Sequence, residues 1–575
     1  MKFLFPVLGA VLLFPVSVCA DVRLPRLFTD NMVLQQETHN AIWGWATPQE
    51  PVTVSASWGA SASSITDANG VWKVFLETPS YGVGHVITVR GGDKATEVIH
   101  IHNVAVGEVW LCAGQSNMGW SVGNSFESEK EATVDLPHFR IFKSQREHWH
   151  KPLAASRDRL QQWKPCTQQS AFETSAVSYW FGKTLHQKLG VPVGIIVQAY
   201  AGTPIEGWMP WDIQKDDPRA VEHRSAIDRT AQRRIERGET VEKAVALFEK
   251  ELDLYNQKIA AGETMKNQFR VLQPPFITKP ASLGHQYPAH IFNAMIHPVR
   301  PYGIRGMIWY QGERNSKNVP QAAHYREQLG KLIQYYRSSW STLSNGNVSA
   351  DFPFQCTQLP SWNPAQVQPV EGLEAPWAVN RESMRLVTHE VPNVGMVVSI
   401  DTGDAVGLHP KNKKPIGIRH ALLAMQQTYR SDVVGQGPEY VGCRIPGNGT
   451  VVIDFRSVGT GLRAARQSES LNGFAIAGEN KKWFWADAVL NGQTVVVSSR
   501  DVPKPVAVRY AWAMNPSLRN LLYNQEGLPA SPFRTDAWPL WEEGDSIIEV
   551  HKPEKPDGYQ PVDWDRPVMT QAVGE

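Results

Sequence analysis

The chain is poor in cysteine: five in 575 residues, with no CxxC pair among them. A thiolate zinc knuckle needs such pairs, so that class of site is disfavoured. Charge of one sign is missing too, since 57 basic and 56 acidic residues leave a formal net charge of +1. Nucleic-acid-binding chains hold phosphates with a basic surplus, and none is present here. Beyond residue 20 no run is long and apolar enough to span a membrane. What is there is ordinary globular composition, 42% hydrophobic and 20% charged. That length suggests about two to four domains. Trp is plentiful at 21 residues; indole rings stack on sugars in clefts, but most serve as core.

Residues 1–20 read as a signal peptide. Lys2 supplies the basic start, "FLFPVLGAVLLFPVSV" the apolar stretch, and Val18 and Ala20 the small-residue positions before a cut at Asp21. A lipid anchor through Cys19 is the weaker alternative, because bulky Val18 precedes it. The expectation is export to periplasm or exterior. Cys112, Cys166, Cys356 and Cys443 remain in the mature chain. An oxidising compartment permits a disulfide, but the spacing does not pair them, and Cys112 sits in an apolar run as a buried thiol.

From residue 21 to about 105, short alternating runs such as "VTVSASW", "VWKVFLE" and "HVITVRG" predict a β-sandwich. His100 and His102 share a strand face there, an exposed face rather than half a metal site. From 106 to about 430 the texture changes. "GEVWLCAG", "GVPVGIIVQAYAG", "GIRGMIWYQGE" and "NVGMVVSIDTG" are continuously apolar, end in Gly plus polar residues, and alternate with helical stretches. That pattern predicts a parallel sheet covered on both faces, with ligands bound beyond the carboxyl ends of its strands. A helical insertion is expected over about 213–280, with Val241, Val245, Phe248, Leu252, Tyr255 and Ile259 forming one apolar stripe against its own domain. Residues 431–545 return to β texture, and 546–575 read as an extended or poorly ordered tail.

The polar strand ends form one kit. Ser116 follows the first strand, Gly202 and Thr203 the second, Gln311 and Glu313 the third, Asp404 and His409 the fourth. Serine attacks only when a base takes its proton, and imidazole is a suitable base. A tetrahedral intermediate needs preorganised donors, which backbone N–H groups beside glycine and a side-chain amide supply. Each residue alone has an ordinary reading: Ser116 a helix cap, His409 a loop residue, Gly202 a turn, Gln311 a cap. All four in this order are harder to explain that way. Asp401, Asp404 and His409 lack a second nearby histidine, so a metal site is disfavoured.

The G-x-S-x-G elbow of α/β-hydrolases is absent, because Gly114-Gln115-Ser116-Asn117-Met118 has no second glycine. The blocks "VGEVWLCAGQSNM", "AGTPIEGW", "MIWYQGE" and "LHPKNKKPIGIR" instead resemble the sialate O-acetylesterase branch of the SGNH hydrolases. "LPRLFTDNMVLQQ" and "NGFAIAGENKKWFWADA" resemble the opening and closing β-domains of that branch, so the likeness runs from about residue 23 to 540. It implies an α/β fold: a three-layer parallel-sheet catalytic domain flanked by β-sandwich-type domains. It implies Ser116 as nucleophile and His409 as base, with the Ser116 N–H, the Gly202 N–H and the Gln311 side chain as oxyanion donors. Glu313 would brace the loop. Two departures stand out. The positions two and three before His409, where relatives carry an acid, are Gly407 and Val406. Asp404, five before, is the nearest acid; a carboxylate from elsewhere, or a dyad without one, are the alternatives. Ala201 stands where relatives often have glycine.

The resemblance implies an exported carbohydrate O-acetylesterase acting on O-acetylated sialic acids through an acetyl-serine. Acetylxylan is the alternative substrate, and a sugar-binding protein with a degenerate hydrolase core the rival from another class. A peptidase or lipase is a third; no long apolar lid is evident for a lipase. Trp120, Trp208, Trp309 and Trp362 are candidates for a sugar-contacting wall, Trp309 the weakest because it sits within a strand. Ser–His acyl transfer implies no cofactor and no metal. Oligomeric state is not legible, and Asn347 and Asn448 are glycosylation acceptors only in a glycosylating host.

Overall fold

The computed structural model describes residues 22–571 apart from 93–97, 127, 132, 159, 263–282, 468–469, 517–519, 543 and 562–565. The expected signal peptide lies outside the described residues. The N-terminal part is antiparallel. Pro51–Ala56 pairs with Ser61–Ile65 and Gly82–Gly91, and His39–Trp45 pairs with Val71–Glu77. Alternating side chains bury one face of Pro51–Ala56 and of Val71–Glu77, as period-two hydrophobicity requires.

One 17-residue strand, β1 (Val98–Gly114), runs straight through the expected boundary near residue 105. Its first half pairs antiparallel with Gly82–Gly91. Its second half is the centre of a parallel sheet. The further strands are β2 (Asp135–Lys143), β3 (Trp163–Thr167), β4 (Val193–Ala199), β5 (Gly306–Tyr310), β6 (Phe354–Thr357) and β7 (Val394–Val397). The order across the sheet is β7-β6-β5-β1-β4-β2-β3, parallel throughout except for the β2–β3 pair. After β4 the chain crosses to the other side of β1, so β1 marks the point where strand order reverses. Crevices in open α/β sheets form there.

The middle of the sheet, β1 with β4, β5, β6 and β7, is buried on both faces because these strands are apolar without alternation. Trp110 and Cys112 of β1 enter one core, with α2 (Ala176–Leu189) and α7 (Lys414–Gln427). Val109, Leu111 and Ala113 enter the other, with α5 (Val319–Leu343) and α6 (Pro376–Glu390). Helix α2 starts where the Ser175 hydroxyl accepts the Ser178 N–H and stops at left-handed Gly190, a capped amphipathic unit.

The insertion holds α3 (Pro218–Ile235) and α4 (Val241–Ala260). Phe248 is buried against Trp149 and Ala294, with Val245 and Leu252 beside it, so α4 packs on its own domain. The Arg157 guanidinium lies 3.9 Å from the Trp149 ring centre, over the same cluster.

Two four-stranded antiparallel sheets and the two-stranded pair Leu462–Ala464 with Leu522–Asn524 make the C-terminal β region among the described residues. Buried Arg381 of α6 clamps it to the catalytic sheet, donating to the carbonyls of Leu359 and Pro360 on one side and Ala513 and Met514 on the other. Among the described residues the cysteines are free thiols; burial pushes Cys112 up to about 12. His100 and His102 are exposed, their rings 6.0 Å apart. Among the described residues no helix is long and apolar enough to cross a membrane.

Candidate active site

Strand β1 ends at Gly114 with φ +148°, where a Cβ would lie 2.1 Å from the Tyr310 carbonyl oxygen of β5. Only glycine fits that approach, and the chain turns there into the single-turn helix α1 (Ser116–Gly119). Ser116 opens the turn and is partly exposed, while Asn117 and Met118 behind it are buried. The serine is thus presented at the carboxyl end of the central strand, between the ends of β4 and β5.

His409 comes from the loop after β7. Ser116 and His409 line one cleft of about 940 Å³, together with Trp120, Ala201, Lys143, Arg146 and Lys164. Trp120 stacks on His409, ring centres 5.3 Å apart at 21°. Nε2 of His409 is buried with no hydrogen-bond partner among the described residues. Burial, then the positive charges of Lys413 and Lys552, hold the imidazole down to about 4. It is therefore neutral at pH 7, the form that can accept a proton.

A buried polar cluster joins the two. Asn117 Nδ2 donates to Glu313 Oε1 at 2.5 Å and to the Leu408 carbonyl at 3.2 Å, while Lys413 Nζ donates to Asn117 Oδ1 at 2.5 Å. Burial pushes the Glu313 carboxyl up, against Asn117 and Lys413 pulling it down. Burial takes Lys413 down to about 7. The bracing expected of Glu313 is visible, and it runs through Asn117. Neither Asn117 nor Lys413 was singled out from the sequence. Both lie in quoted blocks, "GQSNM" and "LHPKNKK", and their burial was the missing signal.

Five expected residues, Gln311, Trp208, Trp309, Trp362 and Asp404, are placed otherwise. Gln311 follows β5, but its side chain turns into the core. Its Nε2 donates to the Thr203 carbonyl and to Asn315 Oδ1, and its Oε1 accepts from the Tyr325 hydroxyl of α5. Its amide is consumed in holding the β5 loop to the β4 loop, which leaves no donor directed at an oxyanion. Trp208 is fully buried: its Nε1 donates to Thr203 Oγ1 and its ring packs edge-on to Trp309, so it is core and not cleft wall. Asp404 Oδ1 accepts the N–H groups of Val406 at 2.8 Å and Gly407 at 2.6 Å. It is the post around which the His409 loop winds, and no bond joins it to His409 among the described residues. Gly202 sits at φ +71° after β4, and its carbonyl accepts from Gln286 Nε2. Trp362 is buried on Trp377, with its Nε1 toward the Val406 carbonyl. Asp401 is paired in the core with Arg419 and Tyr523.

A mostly parallel α/β sheet with serine and histidine in one cleft at its switch point defines a hydrolase of the serine-esterase class. The pattern of the family described as "Carbohydrate esterase, sialic acid-specific acetylesterase" matches residues 106–269 and 278–424, and the chain belongs to that family. It is 26% identical to sialate O-acetylesterase of Mus musculus, covering 92% of this chain and 97% of that protein. It is 26% identical to the Homo sapiens sialate O-acetylesterase over 75% of this chain and 77% of the other. Its fold is similar to the crystal structure of a carbohydrate acetylesterase from Xanthomonas citri, with TM-score 0.71, 30% identity, and coverage of 90% of this chain and 100% of that one. The protein is a serine ester hydrolase of the carbohydrate O-acetylesterase kind.

Proposed function

We propose that this chain is exported and removes acetyl groups from the hydroxyls of sialic acids through an acetyl-Ser116 intermediate. The observation that carries the chemistry is the shared cleft: Ser116 and a neutral His409 both line it, and the buried His409 Nε2 is bonded to no other described residue, Ser116 included. His409 Nε2 takes the Ser116 Oγ proton as Oγ bonds to the acetyl carbonyl carbon. The Ser116 and Gly202 N–H groups are the donors for the oxyanion, without Gln311. The imidazolium returns its proton to the departing sugar oxygen as the ester C–O bond breaks. A water then gives its proton to His409 and its oxygen to the acyl carbon, Oγ leaves with that proton, and acetate is released. The Trp120 face stabilises the transient imidazolium.

The charge of the cleft favours an acidic sugar over neutral xylan. Arg146 and Lys164 line it, with Lys143, whose Nζ is held on the Glu173 carbonyl and whose pKa burial lowers, against Asp158 and Glu173. Asp158 is spent on the Leu160 N–H, and burial pushes its carboxyl up. Export rests on the first twenty residues of the sequence. The test is acetate release from O-acetylated sialic acid and from acetylxylan, wild type against Ser116→Ala. Release that depends on Ser116 and prefers the sialate is expected. Release unaffected by Ser116→Ala would sink the mechanism, and preference for acetylxylan would sink the substrate.

A further inference from the structure

The family match stops at residue 424, so nothing in it assigns a role to the last thirty residues. Residues 546–561 have no regular secondary structure apart from a turn, yet they run against the catalytic domain. The Val550 N–H donates to the Lys317 carbonyl at 2.8 Å, just beyond the Glu313 turn. The Val550 side chain packs on the cluster that holds Trp362 and Trp377. Further on, the Tyr559 hydroxyl donates to Asp404 Oδ1 at 2.8 Å.

That oxygen is the one that accepts Val406 and Gly407 N–H, so Tyr559 completes the set of donors around it. The turn is tight: a Cβ on Gly407 would sit 3.1 Å from Asp404 Cγ. From the other side it is fixed by the Asp404 N–H on the Ser361 carbonyl and by Trp362 Nε1 toward Val406. Two residues beyond Gly407 stands His409. The tail is thus wired to the loop that carries the base.

We propose that Tyr559 is a positioning residue for His409, and that the C-terminal strap closes the catalytic turn by donating to the carboxylate around which the turn is wound. The proposal rests on His409 being the base. It accounts for Asp404, which serves the geometry of the loop rather than the imidazole. The groups facing His409 are Trp120, Lys413 and, from the strap itself, Lys552.

The test is Tyr559→Phe in the full chain, with O-acetylated sialic acid and a small aryl acetate as substrates. Without the hydroxyl the turn loosens and His409 gains water, so its pKa rises toward the usual value. The expected result is kcat lowered about three- to tenfold on both substrates, KM within about twofold, and the acid limb of kcat/KM moved to higher pH. A variant that only lost stability would melt earlier with the limb unmoved, and that result overturns the proposal, as does unchanged kcat. His409→Ala in parallel separates the two ideas. If it keeps wild-type activity, the base assignment fails; if it is inactive while Tyr559→Phe is normal, only the strap fails.

Discussion

The side-chain amide of Asn117 donates to the backbone carbonyl of Leu408 at 3.2 Å, which ties the residue after Ser116 to the residue before His409. The two belong to β1 and β7 segments separated by most of the catalytic domain. One amide, with its oxygen on Lys413 and its nitrogen also on Glu313, sets their spacing.

Asn117→Ala should therefore cost both stability and rate. It removes one hydrogen-bond partner each from the buried Glu313 carboxyl, the Lys413 Nζ and the Leu408 carbonyl, a loss of ~3 kcal/mol or more. Thermal melting is expected to fall by several degrees and acetate release by more than tenfold. Unchanged melting together with unchanged kcat would show that the bridge has no hold on Ser116 and His409.

The pH profile follows from His409. An imidazole held down to about 4 stays unprotonated through neutral pH, so with His409 as base kcat/KM should be flat from about 6 to 8 and fall only as pH drops toward 4. Lys413→Met removes a neighbouring positive charge that disfavours the imidazolium, and should move the acid limb upward. A profile already falling between 7 and 6 in the wild type would contradict this environment for His409.

Asp404→Asn separates two roles. In a serine protease, loss of the carboxylate behind the histidine lowers kcat about 10⁴-fold. Here the asparagine oxygen can still accept Val406 and Gly407 N–H. A loss of tenfold or less is expected, and a loss near 10⁴ would restore Asp404 as the partner of His409.

Arg146 bears on the substrate. It is exposed in the cleft and has no carboxylate partner among the described residues. Arg146→Ala should raise KM for O-acetylated sialic acid several-fold while leaving a neutral aryl acetate unchanged. Equal effects on both would mean the cleft does not read a carboxylate.

How much of this was legible in the sequence depended on which level set the answer. Ser116 and His409 could be expected in one cleft because a parallel sheet gathers its strand ends, whatever the loops do. Gln311 was placed at the right strand end, but its direction is decided by Tyr325, fourteen residues on, and by Asn315, and no local pattern records that contest. Trp208 failed for the same reason, since Thr203 and Trp309 draw it inward. The tail looked unstructured because it buries little apolar surface. Its contacts with the site are scattered single groups, the Tyr559 hydroxyl, the Val550 N–H and the Lys552 charge, which have no periodicity to read.

Strand β1 carries a further consequence. Because Val98–Gly114 is hydrogen-bonded first to the N-terminal sheet and then to the catalytic one, the two share a single beam. The N-terminal β region is for that reason not a cassette that evolution or an engineer can shuffle at residue 105. A cut there severs the same strand that delivers Ser116, and a replacement would have to restore both the antiparallel register before Gly107 and the parallel one after it.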